Sequence, residues 1–519
     1  MKSRLTLSLA ATTAVAVGVT GCGRQCTLED RPNVIFIYAD DLGKGMLSAY
    51  GQRHFTTPNI DAIIGEGVSF SRAYGCWYSG PARASLLTGY HDCRSDKWSL
   101  SRSASEFLTL DTTNLASVER SLDEVDVSLP DNDLYLAEVF REAGYVTGQV
   151  GKLEYGFNST RKQMERDGWD HYYGFLSHIR CHGYFPPFLF RDGEIEMIEG
   201  NTHPDCSKEQ ERDTPEKYAD RWNMEGKVHY SQDLFLGWMI DFIRENKDRP
   251  FFLYHPTQLP HGPVSVPAVH PELVDNEDLL PMEREYASMV KMLDDHVGVL
   301  VAELERLGLM EKTIIIFGAD NGHELYYSQT GRADKPYRNA TTGERFDEYE
   351  NKYYSDLAND VFNGNASMAG LKRNNLQGGI NVPLAFYWRG RWDSSRVSDQ
   401  LIANYDMLTT FADLLGVELA TQKDGISYLP ILESEQARHP EGRYVVASSR
   451  YGVAVIRNDG WKLRSYEMGD ISTFELFNLN EDPKERCDLR LEYPEIVAEL
   501  QKIKAKECED IRISLSFSR

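Results

Sequence analysis

The sequence predicts an α/β fold: a large doubly wound mixed β-sheet flanked by helices, with a smaller C-terminal α+β subdomain of a short antiparallel sheet and a closing helix. Three observations predict it. Continuous apolar, β-branched runs recur, as expected of strands buried on both faces. Amphipathic stretches at helical spacing separate them. Polar residues cluster just past several of the runs, where open α/β sheets hold their ligands.

Asn33 to Ala39 (NVIFIYA) is the first such run, and it ends in Asp40-Asp41. Leu134 to Ala143 has apolar residues at helical spacing, and Gly144 suits the position after its last turn. Tyr145 to Val150 then reads as a strand running into Gly151-Lys152, and Pro250 to Tyr254 as another, soon followed by Pro260-His261. Met289, Met292, Leu293, Val297, Leu300, Val301 and Leu304 mark a long amphipathic helix closed by Gly308. The strand Thr313 to Phe317 follows and delivers Asp320-Asn321. Two long polar stretches, about 179–230 and 324–368, interrupt the alternation; loops of that length are usually functional or disordered. After Pro430 the character changes. Arg443–Ser448, Gly452–Arg457, Trp461–Tyr466 and Phe474–Phe477 read as short antiparallel strands, with Asn458-Asp459-Gly460 as a turn and Glu495 to Lys506 as a closing helix.

The chain has 519 residues, enough for a large core, and its 41% hydrophobic and 26% charged residues are ordinary for a globular protein. Disorder and a polytopic membrane protein are thereby excluded. The net charge of −24, from 56 basic and 80 acidic residues, argues against nucleic acid as a partner, because phosphates demand a basic surface. An anionic substrate must be held by a few local cations against the field of the whole protein.

The N-terminus reads as an export signal. Lys2 and Arg4 precede a short apolar run, Leu5 to Val19, too short to span a bilayer permanently. Val19-Thr20-Gly21-Cys22 resembles a bacterial lipobox, which predicts a lipoprotein signal peptide over 1–21, lipidation of Cys22 and a linker over 22–30. The remaining chain divides into a catalytic domain, 31–432, and a C-terminal subdomain, 433–519. The expected location is the periplasm or the outer membrane or cell surface, with the membrane reached through the N-terminal lipid. Export also permits disulfides. Seven cysteines follow Cys22, at 26, 76, 93, 181, 206, 487 and 508; the odd number leaves at least one unpaired, and the spacing does not reveal connectivity.

The segment Ser79-Gly80-Pro81-Ala82-Arg83, continuing to Leu87-Thr88-Gly89, carries the most chemistry. Pro81 fits the first turn of a helix, which puts Ser79 at a helix N-terminus that favours an anion, with Arg83 one turn further on the same face. A plain helix start with a capping Ser is the alternative reading.

Here the sequence resembles the type I sulfatases of the alkaline phosphatase superfamily, in a serine-type bacterial carbohydrate form. Their signature is Cys or Ser, any residue, Pro, a small residue, Arg, three residues, Leu, Thr, Gly, and each defined position is met between Ser79 and Gly89. The resemblance implies that Ser79 is oxidised to 3-oxoalanine (formylglycine), whose hydrated aldehyde is the nucleophile. A serine precursor implies a radical SAM formylglycine maturase as partner. The opening strand with Asp40-Asp41 and the later Asp320-Asn321-Gly322 look like the family's two metal motifs, implying one Ca2+ ion bound by Asp40, Asp41, Asp320, Asn321 and the side chain at position 79. Such oxygen donors suit calcium, which takes about six to eight of them.

Further segments continue the likeness. Gly151-Lys152 resembles a family Gly-Lys-Trp-His segment and makes Lys152 a sulfate contact, although Leu153 and Glu154 depart from it and put the usual histidine role in doubt. Pro260-His261-Gly262-Pro263 makes His261 the candidate general acid. Leu371-Lys372, with Gln377-Gly378-Gly379-Ile380 after it, resembles the lysine and Gly-Gly-Ile segment, and Gln377 stands where Glu is common. His182 is a further candidate for contact with a sulfated sugar.

The implied activity is hydrolysis of sulfate esters, above all of O-sulfated carbohydrates such as host glycosaminoglycans, mucin glycans or algal polysaccharides. Arg83, Lys152 and Lys372 would neutralise the ester, and His261 would protonate the departing alcohol. A phosphodiesterase or phosphonate monoester hydrolase of the same superfamily is the runner-up, and a lipoprotein that binds sulfated glycans without turnover is a third reading. The two long insertions are expected to wall the pocket, with Tyr184, Phe185, Tyr326 and Tyr327 offering aromatic faces to sugar rings.

Overall fold

The computed structural model describes residues 31–94, 96–98, 133–155, 160–176, 180–202, 222–327, 342–346, 349–468 and 470–508, with a few isolated positions between them. The expected signal peptide 1–21, lipidation site Cys22 and linker to residue 30 lie outside the described residues, as do Cys26 and Cys206 and parts of both long insertions.

In chain order the strands are β1 (Asn33–Ala39), β2 (Val68–Phe70), β3 (Ala73–Tyr74), β4 (Val146–Lys152), β5 (His171–Phe175), β6 (Phe188–Arg191), β7 (Glu194–Met197) and β8 (Phe251–Pro256). There follow β9 (Thr313–Ala319), β10 (Leu384–Trp388), β11 (Arg396–Ser398), β12 (Ile402–Ala403), β13 (Tyr444–Ser449), β14 (Gly452–Arg457), β15 (Trp461–Met468) and β16 (Ile471–Asn478). One mixed sheet has the order β11-β2-β10-β9-β1-β8-β4-β5-β6-β7. Its middle, from β9 to β5, is parallel, and β10 and β6 close it antiparallel on either side.

Alternation along β1 divides the core in two. Ile35, Ile37 and Ala39 face one side, packed with Ile60 and Ile63 of the helix Pro58–Glu66, Met239 and Ile243 of Ser231–Asn246, and Leu293 and Val297 of Pro281–Leu307. Val34, Phe36 and Tyr38 face the other, packed with Leu86 and Leu87 of the helix Ser79–Thr88, Val139 and Phe140 of Leu136–Glu142, and Leu408 and Phe411 of Asp406–Leu415. Helices on both faces of a largely parallel sheet are the doubly wound arrangement the apolar runs predict.

The C-terminal strands form a separate antiparallel sheet, β13-β14-β15-β16. The helix Pro494–Glu507 closes it, burying Val497 and Leu500 against Val455, Leu463 and Leu476.

Candidate active site

The site lies beyond the carboxyl ends of the parallel strands. β1 and β9 run in register with Ala39 opposite Ala319, so the residues that follow, Asp40 and Asp320, emerge side by side. The Asp320 amide donates to the Ala39 carbonyl at 3.1 Å, and the Asp41 amide to Asp320 Oδ1 at 2.9 Å. β8, on the other flank of β1, leads through Leu259, whose carbonyl accepts from the Asp40 amide at 3.0 Å, to His261. β4 ends in Lys152. The preceding Gly151 has a left-handed φ of 121°, and a Cβ there would stand 2.4 Å from the Pro256 carbonyl oxygen, so only glycine lets β4 approach β8 this closely.

Ser79 opens the helix Ser79–Thr88, with Tyr78 extended as N-cap and Gly89 left-handed after the last turn. Its Oγ donates to Asp40 Oδ1 at 2.5 Å. Arg83, one turn on, is fully buried, with Nη2 3.9 Å from Asp40 Oδ1 and 3.8 Å from Asp320 Oδ2. Its three guanidinium nitrogens have no hydrogen-bond partner among the described residues. A buried cation with every donor unused is a receptor for an anion.

The other polar residues converge from distant segments. Lys152 Nζ donates to Asp40 Oδ2. Lys372 Nζ lies 2.7 Å from Asp41 Oδ2 and 3.0 Å from His261 Nε2. His261 Nε2 is also 3.4 Å from Asp41 Oδ2, while its Nδ1 contacts the Gly262 carbonyl at 2.5 Å. That contact assigns the proton to Nδ1 in the neutral ring and turns Nε2 toward the carboxylates. The His182 ring stacks at an angle on His261, with centroids 4.0 Å apart. Every site residue expected from the sequence within the described region, from Asp40 to Lys372, falls in or against this one buried cluster.

The electrostatics of the carboxylates suit a cation. Burial would raise Asp40, yet Lys152, Arg83 and Lys372 hold it well below the usual carboxylate range. Asp320, in the same cluster, is pushed well above that range by burial and by the charges of Asp40 and Asp41. Carboxylate oxygens of Asp40, Asp41 and Asp320 lie within 4.8 Å of one another. Asp320 Oδ2 and Asn321 Oδ1 are buried without hydrogen-bond partners among the described residues, although Asn321 Nδ2 is anchored on Asp41 Oδ1 at 2.7 Å. Two orphaned oxygens beside mutually repelling carboxylates fit a hard divalent cation taking oxygen ligands.

Several expectations are corrected. Tyr184, Phe185, Tyr326 and Tyr327 offer no open faces to a sugar, because all four are buried in the core. Tyr184 instead donates its hydroxyl to the His261 carbonyl at 2.6 Å, Tyr326 donates to Asp41, and Tyr327 donates to Asp360 at 2.5 Å. Glu154 does not take a histidine's place beside the lysine. It has a left-handed φ of 56°, and its buried carboxyl accepts from Trp169 Nε1 and faces Asp167. Gln377 accepts from Tyr74 at 3.1 Å and from Asn381 at 3.0 Å, a structural role in the loop that carries Lys372. The sequence reading missed Tyr326 as a partner of Asp41, and it missed Arg464, a fully buried residue of β15. Arg464 Nε donates to Asn375 Oδ1 at 2.8 Å, three residues past Lys372. No local signal marks either contact, since each joins segments far apart in the chain.

Comparisons with known proteins agree with this geometry. The Sulfatase family model matches residues 32–417, and the model for the N-sulphoglucosamine sulphohydrolase C-terminal region matches 371–510. An N-acetylgalactosamine-6-O-sulfatase of Bacteroides thetaiotaomicron is 24% identical, over 93% of this chain and 96% of that one. Among solved structures, one described under the metabolism of multiple glycosaminoglycans by Bacteroides thetaiotaomicron has a TM-score of 0.68 at 22% identity, covering 92% of this chain and 100% of that one. Another, in complex with its substrate D-glucosamine-2-N,6-O-disulfate, has a TM-score of 0.61 at 18% identity, covering 93% of this chain and 99% of that one. With a single family model spanning most of the chain, including every residue that converges on Asp40 and Ser79, the protein belongs to the sulfatase family and is a sulfuric ester hydrolase.

Proposed function

We propose that this sulfatase hydrolyses O-sulfate esters of carbohydrates, using a formylglycine formed from Ser79 and one calcium ion held by Asp40, Asp41, Asp320, Asn321 and the side chain at position 79. The observation that carries the reading is the Ser79 hydroxyl on Asp40, at the mouth of a buried cluster whose Arg83 donors are all unused. When bound by these residues, the cation would supply Lewis-acid polarisation of the sulfate, and the hydrated aldehyde at position 79 would supply one hydroxyl for attack and a second for release.

The protein's own groups supply the rest. Arg83 and Lys152, beside Asp40, and Lys372, beside Asp41, are the cations that would neutralise the charge by which an anionic ester repels a nucleophile. Protonated His261 keeps Nδ1–H on the Gly262 carbonyl and delivers the Nε2 proton to the departing sugar oxygen. Lys372, which donates to Asp41 Oδ2 at 2.7 Å and lies 3.0 Å from Nε2, can donate to the neutral ring left once that proton has gone, and His182, stacked on His261, is the candidate sugar contact.

The relatives named above favour a 6-O-sulfated hexosamine as first substrate. The reading extends to export as a lipoprotein through the signal at 1–21 and Cys22, to the periplasm or outer membrane, and to activation by a radical SAM maturase; its support is the N-terminal sequence and the serine at position 79. We also divide the chain at about residue 432, on the strength of the separate sheet that begins at β13.

A panel of 2-, 3-, 4- and 6-O-sulfated monosaccharides, with a phosphonate monoester as counter-substrate, tests the function on matured protein. Sulfate release from one or two ring positions supports it. Phosphonate hydrolysis without sulfate release from any sugar contradicts it.

A further inference from the structure

We propose that Cys93 and Cys508 form a disulfide that clips the last helix of the protein to the segment following the Ser79 helix. The segment 91–94 leaves the catalytic helix just past Gly89, and each of its residues meets a partner from beyond residue 420. His91 Nε2 lies 3.4 Å from Glu507 Oε2. Asp92 accepts from the Ser448 amide at 2.9 Å and from its hydroxyl at 2.8 Å. Arg94 Nη1 donates to Asp424 Oδ1 at 2.6 Å. Between them, Cys93 packs with Tyr444 against the small apolar cluster of Val446, Val453 and Cys508, which brings the two thiols together.

The other described thiols have different surroundings. Cys76 contacts Ser85 and Asn404, Cys181 lies beside His182, and Cys487 is exposed. The Cys93–Cys508 contact is therefore the pairing that the fold brings together. The Cys508 amide closes the last turn of Pro494–Glu507 on the Lys504 carbonyl at 3.0 Å, so a bond at Cys508 would hold the end of that helix. It would close a loop spanning most of the chain, the case in which a cross-link restricts the unfolded state most.

Formation removes one hydrogen from each thiol. The two electrons and two protons pass to a disulfide oxidant, an extracytoplasmic thiol oxidoreductase in the host or oxidised glutathione in vitro, which leaves as two thiols. In the host the bond rests on the export reading, since a reducing cytosol would keep it open. The in vitro arm tests the geometry alone, so failure of export and failure of the pairing are distinguishable.

The full chain is purified reduced, equilibrated with oxidised glutathione, alkylated and digested without reductant. A linked peptide pair containing positions 93 and 508, lighter by two hydrogens than the two thiol peptides and separated by dithiothreitol, is the expected result. The oxidised wild type should melt several degrees above its reduced form, whereas Cys93→Ser and Cys508→Ser should each melt at one temperature with or without dithiothreitol. Alkylated Cys93 and Cys508 after oxidation, glutathione caps on both, or a link from either to Cys76 or Cys487 would overturn the proposal.

Discussion

The Ser79 hydroxyl donates to Asp40 Oδ1 at 2.5 Å, tying the first residue of one helix to the end of the central strand of the sheet. That bond places the hydroxyl proposed for oxidation directly against the carboxylates proposed to hold the cation. Activity therefore depends on two anchors that share one aspartate, since Lys152 takes its other oxygen.

His261→Gln keeps an acceptor and a donor of similar reach but cannot release a proton. Sulfate release from sugar sulfates is expected to fall roughly 100- to 10,000-fold, the usual worth of a general acid. With an aryl sulfate whose leaving group needs no proton, the loss should be far smaller. Equal losses on both substrates, compared by kcat/KM, would remove His261 from the proton transfer.

Asp320→Asn keeps the Oδ1 acceptor used by the Asp41 and Asn321 amides while deleting one of three crowded carboxylates. Burial and the charges of Asp40 and Asp41 oppose ionisation of Asp320, so the cation-free variant should melt higher than cation-free wild type. The rise in melting temperature on adding calcium should shrink, because a ligand stabilises only through its affinity for the folded state. Thermal melts in EDTA and in calcium check both signs; a larger calcium response in the variant would contradict the assignment.

Glu154 and Asp167 give a pH dependence outside the catalytic cluster. Burial and Asp167 push Glu154 well above the carboxylate range, and burial pushes Asp167 up to about 6 against the pull of Arg166. Folded-state values above the unfolded ones mean that the stability is fully present below about pH 4 and is lost as pH rises through about 6 and beyond. Glu154→Gln cannot ionise, so its melting temperature should decline less steeply than wild type as pH rises above about 6. Parallel declines would show that the pair does not carry the effect.

Arg464 links the C-terminal sheet to the loop of Lys372 through Asn375 at 2.8 Å, and is held within the sheet by Glu475 of β16 at 2.7 Å. Glu485 of the same subdomain receives the Gln377 amide at 2.6 Å and the buried Lys462 ammonium at 2.6 Å. Arg464→Met is expected to lower kcat about tenfold with little change in KM, assayed well below its melting temperature, with Arg464→Lys recovering part of the loss. Unchanged kcat in a folded Arg464→Met protein would make the link structural only.

Much of this was legible in the sequence because it follows from local pattern. The run NVIFIYA is apolar at every position, which is what a strand between two helical layers requires, and β1 spans those seven residues. Asp40 and Asp320 were legible as strand-end residues, and the register of β1 on β9 makes them neighbours. The side chains that line a wall were not. Tyr184 and Tyr326 look like exposed sugar platforms in a polar insertion, yet each buries its ring and spends its hydroxyl on His261 or Asp41. Glu154 follows Lys152 by two residues, yet its carboxyl pairs with Trp169 and Asp167, partners that composition does not encode. Arg464 acts across about ninety residues of chain, beyond any periodicity.

The mass of the peptide carrying position 79, taken from protein matured in its native host, tests the central claim most directly, alongside sulfate release by the same preparation. The account predicts a peptide lighter than the serine form by two hydrogens, sulfate release in proportion to its abundance, and a folded but inactive Ser79→Ala. An unmodified serine in protein that releases sulfate at full rate would contradict it.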